Sequence, residues 1–77
     1  MKWERITIEP GKMGGRACIR GLRMPVATVV RMVASGMSPD EIIDAHPELE
    51  RADVTEALEY AASLADSTAI SLRRTGS

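Results

Sequence analysis

Ser35-Gly36-Met37-Ser38-Pro39-Asp40-Glu41-Ile42-Ile43 carries a helix stop and a helix start within one short stretch. Gly36 reaches the left-handed conformation that closes a helix without a Cβ penalty. Ser38 is a good N-cap, Pro39 suits the first helical position, and Glu41 completes a Ser-x-x-Glu capping box. The stretch therefore divides two helices, the second leaving at an angle to the first. With a third helix downstream, this is the outline of a helix-turn-helix.

Upstream, Pro25 opens the first helix, and Val26, Val29, Val30 and Val33 fall on one helical face that Met37 continues. Before it, Trp3 to Glu9 alternates in part and is rich in strand formers, so it reads as a short strand ended by Glu9-Pro10-Gly11. Gly14-Gly15 is a second break. Ala17-Cys18-Ile19, Arg20-Gly21 and Leu22-Arg23-Met24 read as a tight hairpin, with Gly21 supplying positive φ. An isolated hairpin is marginal in water, so the first strand is expected to pair with it or with another chain. Downstream, the second helix runs from Pro39 to about Ala45 and is stopped by Pro47. A third helix begins between Leu49 and Asp53, whose carboxylate suits first-turn amides. Its apolar stripe is Val54, Ala57, Leu58, Ala61, Leu64 and Ala65.

The expected architecture is mainly α: a three-helix helix-turn-helix body over 25–66, preceded by a strand and hairpin over 1–24 in the same domain. A tail over 67–77 is expected to be flexible. A chain of 77 residues buries a modest core and often gains stability from oligomerisation. A formal net charge of −1 names no partner, but the distribution is uneven. Lys2, Arg5, Lys12, Arg16, Arg20, Arg23 and Arg31 crowd the first half, acids dominate from Asp40 to Asp66, and Arg73 and Arg74 follow. A basic head, an acidic body and a basic tip suggest different contacts at each, or simply solvated surface charge. A single cysteine, Cys18, fits a reducing compartment. With no apolar run long enough to span a bilayer and no signal-peptide pattern, the expected location is the cytoplasm, with no membrane contact.

Chemistry-bearing constellations are sparse. Gly11 to Gly15 with Arg16 lacks the Lys-Ser/Thr ending of a P-loop, and a structural turn is the better reading. One His and one Cys make a dedicated metal site improbable, and Cys18 reads as a half-buried strand residue. No nucleophile stands with a base, so neither an enzyme nor a cofactor is expected. The acids of the second and third helices read as solvated faces. On a DNA-reading third helix, Asp53, Glu56 and Glu59 would oppose phosphates, and only Arg51 and Thr55 would help. DNA contact is better placed on the hairpin, at Arg16, Arg20 and Arg23 with Lys12, because a β-ribbon can enter a major groove.

Gly14 to Val26, Ser35 to Ile42, His46-Pro47-Glu48-Leu49 and Val54 to Ala62 together resemble the small bacterial DUF433 family. The resemblance runs from about Ile6 to Ala65. Leu22 departs from the family's common threonine, and Glu50 stands where Ser or Thr would cap the third helix better. The resemblance implies a homeodomain-like helix-turn-helix behind an N-terminal β element. It also implies a role like that of VapB-type antitoxins, neutralising a PIN-like ribonuclease toxin encoded nearby.

On that reading the folded part forms a homodimer or higher oligomer and binds operator DNA, while a C-terminal segment holds the toxin. Arg73 and Arg74 are the candidates to pair with nuclease carboxylates, since arginine binds carboxylates bidentately. Leu64, Ile70 and Leu72 would dock alongside. The alternatives are a stand-alone DNA-binding regulator and a dimerisation module without DNA contact.

Overall fold

The computed structural model describes residues 3–68. Within them the order is β1 (Ile6–Ile8), a 3₁₀ turn (Met13–Gly15), β2 (Ala17–Ile19), α1 (Val26–Ala34), α2 (Pro39–Ala45) and α3 (Arg51–Thr68). The architecture is three helices and a two-stranded antiparallel sheet. Ile70, Leu72, Arg73 and Arg74 lie outside the described residues.

The α1–α2 junction follows from its local chemistry. Gly36, at φ +99°, donates its N–H to the Val33 carbonyl at 3.0 Å, and Met37 donates to the Met32 carbonyl at 3.1 Å. These are the two bonds of a Schellman motif, which satisfy carbonyls the ending helix would leave open. Met32 and Met37, the residues that commonly touch across this motif, are both partly buried against the core. Two residues later the capping box closes. The Glu41 N–H donates to Ser38 Oγ at 3.2 Å, and the Ser38 N–H donates to Glu41 Oε1 at 2.8 Å.

The strand pairs within the chain. Ile6, Thr7 and Ile8 face Ile19, Cys18 and Ala17 in antiparallel register. The hairpin turn is tight, the Leu22 N–H donating to the Ile19 carbonyl at 2.7 Å. Arg20 and Gly21 both have positive φ, at +42° and +73°. Two left-handed central residues make a type I′ turn, which ordinarily calls for Asn-Gly. The second arm is shorter than expected: beyond the turn it makes one bridge, Cys18 to Pro25, before α1 begins.

Ile6, Ile19, Met24, Val26, Val29, Ile42, Leu49, Val54 and Ala57 form one core drawn from every major element. Cys18 is fully buried rather than half-buried, at 2% exposure. On α3, only the first half of the expected stripe is enclosed. Val54 and Ala57 are buried, whereas Leu58 and Leu64 are 37% and 51% exposed. Helix length explains this. At about 1.5 Å per residue, the 9-residue α1 spans about half the length of the 18-residue α3. The helix also continues through Thr68, past Asp66, where sequence alone placed the end of the body.

Candidate functional site

The described basic residues fall into two classes. The first is bound to acids. Asp53, which is 0% exposed, lies in the first turn of α3 and is the hub. Arg20 donates through Nε and Nη2 to both carboxylate oxygens of Asp53, at 3.0 and 2.9 Å, and through Nη2 to the Glu48 carbonyl at 2.8 Å. Arg5 donates through Nη1 to Asp53 Oδ1 at 2.9 Å and to Glu50 Oε1 at 2.8 Å. The Glu50 N–H, just ahead of α3, completes the set by donating to Asp53 Oδ2 at 2.8 Å. That last bond is half of a capping box, supplied from inside the helix where the preceding residue is a poor cap.

Burial pushes the Asp53 carboxyl up. The Arg20 guanidinium, the Glu50 N–H and the Arg5 guanidinium outweigh it and hold the group below the usual carboxylate range. In return, the hydrogen bonds to Glu50 and Asp53 raise Arg5, and the bond to Asp53 raises Arg20. The N-terminal segment continues this clamp along α3. The Arg5 N–H donates to Glu56 Oε2 at 2.8 Å, and the Trp3 ring meets Tyr60 edge-on at 5.4 Å. Positions 53, 56 and 60 share one helical face, so residues 3–5 lie strapped across it. Asp53 and Glu56 are thereby ligands for the β element rather than members of a solvated face.

Arg20 explains its own turn. An arginine with positive φ is uncommon and carries backbone strain. Its guanidinium reaches the buried carboxylate from there, and this ion pair is what an Asn-Gly turn would lack. Of the other residues read as DNA contacts, Lys12 donates to the Gly21 carbonyl at 2.6 Å and pairs with Glu9 at 3.5 Å. Arg51 pairs with Asp40 at 3.3 Å, and Thr55 is exposed on α3.

The second class comprises Arg16, Arg23 and Arg31. All three are exposed, and none makes an ion pair with a described residue. Arg16 and Arg31 flank a groove of about 590 Å³ between the sheet, α1 and α3. Its walls include Ile8 and Ala17 from the sheet, Val26 and Val30 from α1, and Ala61 and Leu64 from α3. No acidic side chain lines it. Leu64, read from sequence as a partner contact, is thus on this surface. Arg31 was not among the sequence candidates. The signal available was its position one residue after Val30, at the edge of the apolar face of α1.

Residues 6–61 match the family described as Protein of unknown function (DUF433). The chain belongs to the DUF433 family. It is 36% identical over 58 residues to the protein of Sinorhizobium fredii described as "Uncharacterized protein y4eO", an alignment covering 75% of this chain and 26% of that relative. It is also similar to the crystal structure of a DUF433 member from Anabaena variabilis ATCC 29413. That match has a TM-score of 0.75 and 33% identity, and covers 82% of this chain and 62% of the other. The chain therefore spans about a quarter of the first relative and under two thirds of the second. Among the described residues of this DUF433 chain, no helix is long and apolar enough to cross a membrane.

Proposed function

We propose that this DUF433 protein is the antitoxin component of a type II toxin–antitoxin pair. It is a non-catalytic cytoplasmic chain related to VapB-type antitoxins, with a homeodomain-like helix-turn-helix body. It neutralises a PIN-like ribonuclease and binds operator DNA as a homodimer or higher oligomer. The observation that supports this most is the sorting of the arginines. Arg5 and Arg20 are committed to Asp53, while Arg16 and Arg23 on the ribbon carry positive charge with no acid beside it. Unpaired arginines on a β-ribbon are suited to phosphate and base edges. Lys12 and Arg20 are bound to groups of the protein itself, and Arg51 is paired at the surface with Asp40 beside the acids of α3, so the DNA contact is assigned to Arg16 and Arg23.

The assignment can be measured. Two phosphate-neutralising arginines per copy, doubled in a dimer, give a slope of log K against log salt of about −3.6. Arg23→Ala in a DNA-binding titration should flatten that slope by about 2 in the dimer. An unchanged slope removes the ribbon as the contact. A stand-alone regulator would use the same two arginines. It is distinguished by co-expression with the product of the adjacent reading frame, where an antitoxin co-purifies with a small nuclease. Deleting residues 72–77 should then release the ribonuclease activity, if Leu72, Arg73 and Arg74 hold the toxin.

A further inference from the structure

The groove between the sheet, α1 and α3 joins three properties. It is a trough rather than an enclosed cavity. Two helices, with Val26 and Val30 on one and Ala61 on the other, wall it with aliphatic surface. Two arginines, Arg16 and Arg31, stand on its rim without a counter-charge from any lining residue.

Each property restricts the occupant. Sites for small molecules bury most of the ligand's surface, which a trough open to solvent does poorly. An open apolar trough between helices suits the apolar stripe of a third helix. Two copies of this chain meeting groove to groove would bring Arg16 and Arg31 of both into one interface that no acidic lining residue relieves, and like charges across an interface are unfavourable. The positive rim instead selects carboxylates. We propose that this groove docks an amphipathic helix from a different protein, whose apolar stripe is flanked on both sides by Asp or Glu. This goes beyond the antitoxin reading, since such a helix is bound whether or not its parent protein is a nuclease. Arg31 separates the two ideas: it lines this groove but is not on the DNA-contacting ribbon.

The test uses the full chain and two fluorescein-labelled peptides of about 15 residues, the length at which isolated helices begin to persist. Both carry leucines at i, i+3, i+4 and i+7. One has glutamates flanking that stripe and the other has lysines. Fluorescence anisotropy at low salt should show the glutamate peptide binding at least about tenfold more tightly, the scale expected of two exposed ion pairs replaced by two repulsions. Arg16→Glu with Arg31→Glu should invert the preference, and Arg16→Gln with Arg31→Gln should erase it. Ala27→Trp, on an exposed wall position, should abolish binding of both peptides. Arg31→Glu alone should leave DNA affinity unchanged. Amide resonances of Val26, Val30 and Ala61 should shift on titration. Equal affinity for the two peptides, or no saturable binding of either, overturns the proposal. So does displacement of the glutamate peptide by one equivalent of dodecanoate, which would assign the groove to a small amphiphile. Dilution-dependent shifts of the same resonances without peptide would assign it to a second copy, and overturn it equally.

Discussion

Arg20 and Arg16 lie on the same ribbon, four positions apart, and look alike in sequence. One reaches a carboxylate that is 0% exposed, and the other stands at the edge of an apolar trough with no acid beside it. Arg5 and Arg31 repeat the contrast. The difference teaches that a basic cluster in a small chain is not one feature. Its members divide according to whether folding brings them a carboxylate, and only the remainder is free to recognise something else. The paired set welds the β element to α3. The unpaired set, Arg16, Arg23 and Arg31, stays exposed with no ion pair to a described residue.

The largest effect should come from breaking the weld. Asp53→Ala leaves two guanidinium groups without their shared partner and removes the acceptor for the Glu50 N–H. Loss of one member of a buried ion pair costs about 3–5 kcal/mol. The Arg5 and Arg20 side chains are 30% and 34% exposed, so water partly replaces the lost carboxylate, and about 2–3 kcal/mol is expected. In a domain of this size that lowers Tm by roughly 10–20 °C. The same contact sets a pH dependence. Because the folded state depresses the Asp53 carboxyl, its contribution is fully present above the unfolded value of about 3.9. It fades as pH falls through the lower folded value. Urea unfolding should therefore show the gap between wild type and Asp53→Asn widest at neutral pH and narrowing below about pH 4. A gap that stays constant with pH would mean that Asp53 acts by shape rather than charge.

Next comes the turn that delivers Arg20. Gly21→Ala puts a Cβ on a residue at φ +73°, and about 1–2 kcal/mol of destabilisation should follow. The added carbon meets only Glu9 Oε2 at 3.5 Å, an ordinary contact, so the cost is conformational rather than steric crowding. Arg20→Asn sharpens the point. It relaxes the neighbouring left-handed position but removes the guanidinium, and the loss should dominate. A double-mutant cycle with Asp53→Asn should show the two changes to be less than additive.

What was legible in the sequence follows the same division. The α1–α2 junction could be read residue by residue because every bond in it spans five positions or fewer, from Met32 to Met37 and from Ser38 to Glu41. The span of α2 was recovered in full for that reason. The Gly21 turn and the presence of a strand were also legible, since both depend on local backbone preference. Only Ile6–Ile8 of the expected Trp3 to Glu9 pairs as strand, however, because Trp3 and Arg5 are drawn onto α3. The hub was not. Arg20 and Asp53 are 33 positions apart, and Arg5 and Asp53 are 48 apart. No periodicity links them, and Asp53 alone looks like any acid in a first helical turn. Its actual surroundings depend on where the β element crosses α3. The exposed second half of α3 was missed because its stripe of Val54, Ala57, Ala61 and Leu64 is continuous in sequence. Only the short length of α1 shows where the cover ends.

A smaller loss tests the local side. Ser38→Ala removes the hydroxyl that accepts the Glu41 N–H and should cost about 1 kcal/mol, the usual value of an N-cap. It should leave the pH dependence of unfolding unchanged, because the Asp53 hub and the capping box share no residue. A change in acid sensitivity would couple two parts of the molecule that the structure keeps apart.

The smallest effect is the most informative about the second class of arginines. Arg16→Ala and Arg31→Ala remove exposed side chains that make no ion pair with a described residue, so each should change stability by less than about 0.5 kcal/mol. Removing either should even relieve some mutual repulsion around the groove, which would appear as a slight gain in Tm at low salt that vanishes at high salt. A residue needed by the fold behaves in the opposite way. Arg20→Ala should lower Tm at every ionic strength, since its partner is buried and poorly screened. If Arg16→Ala or Arg31→Ala destabilised the chain as Arg20→Ala does, the two classes would collapse into one. The groove rim would then be part of the folded core's support rather than a surface kept for another molecule.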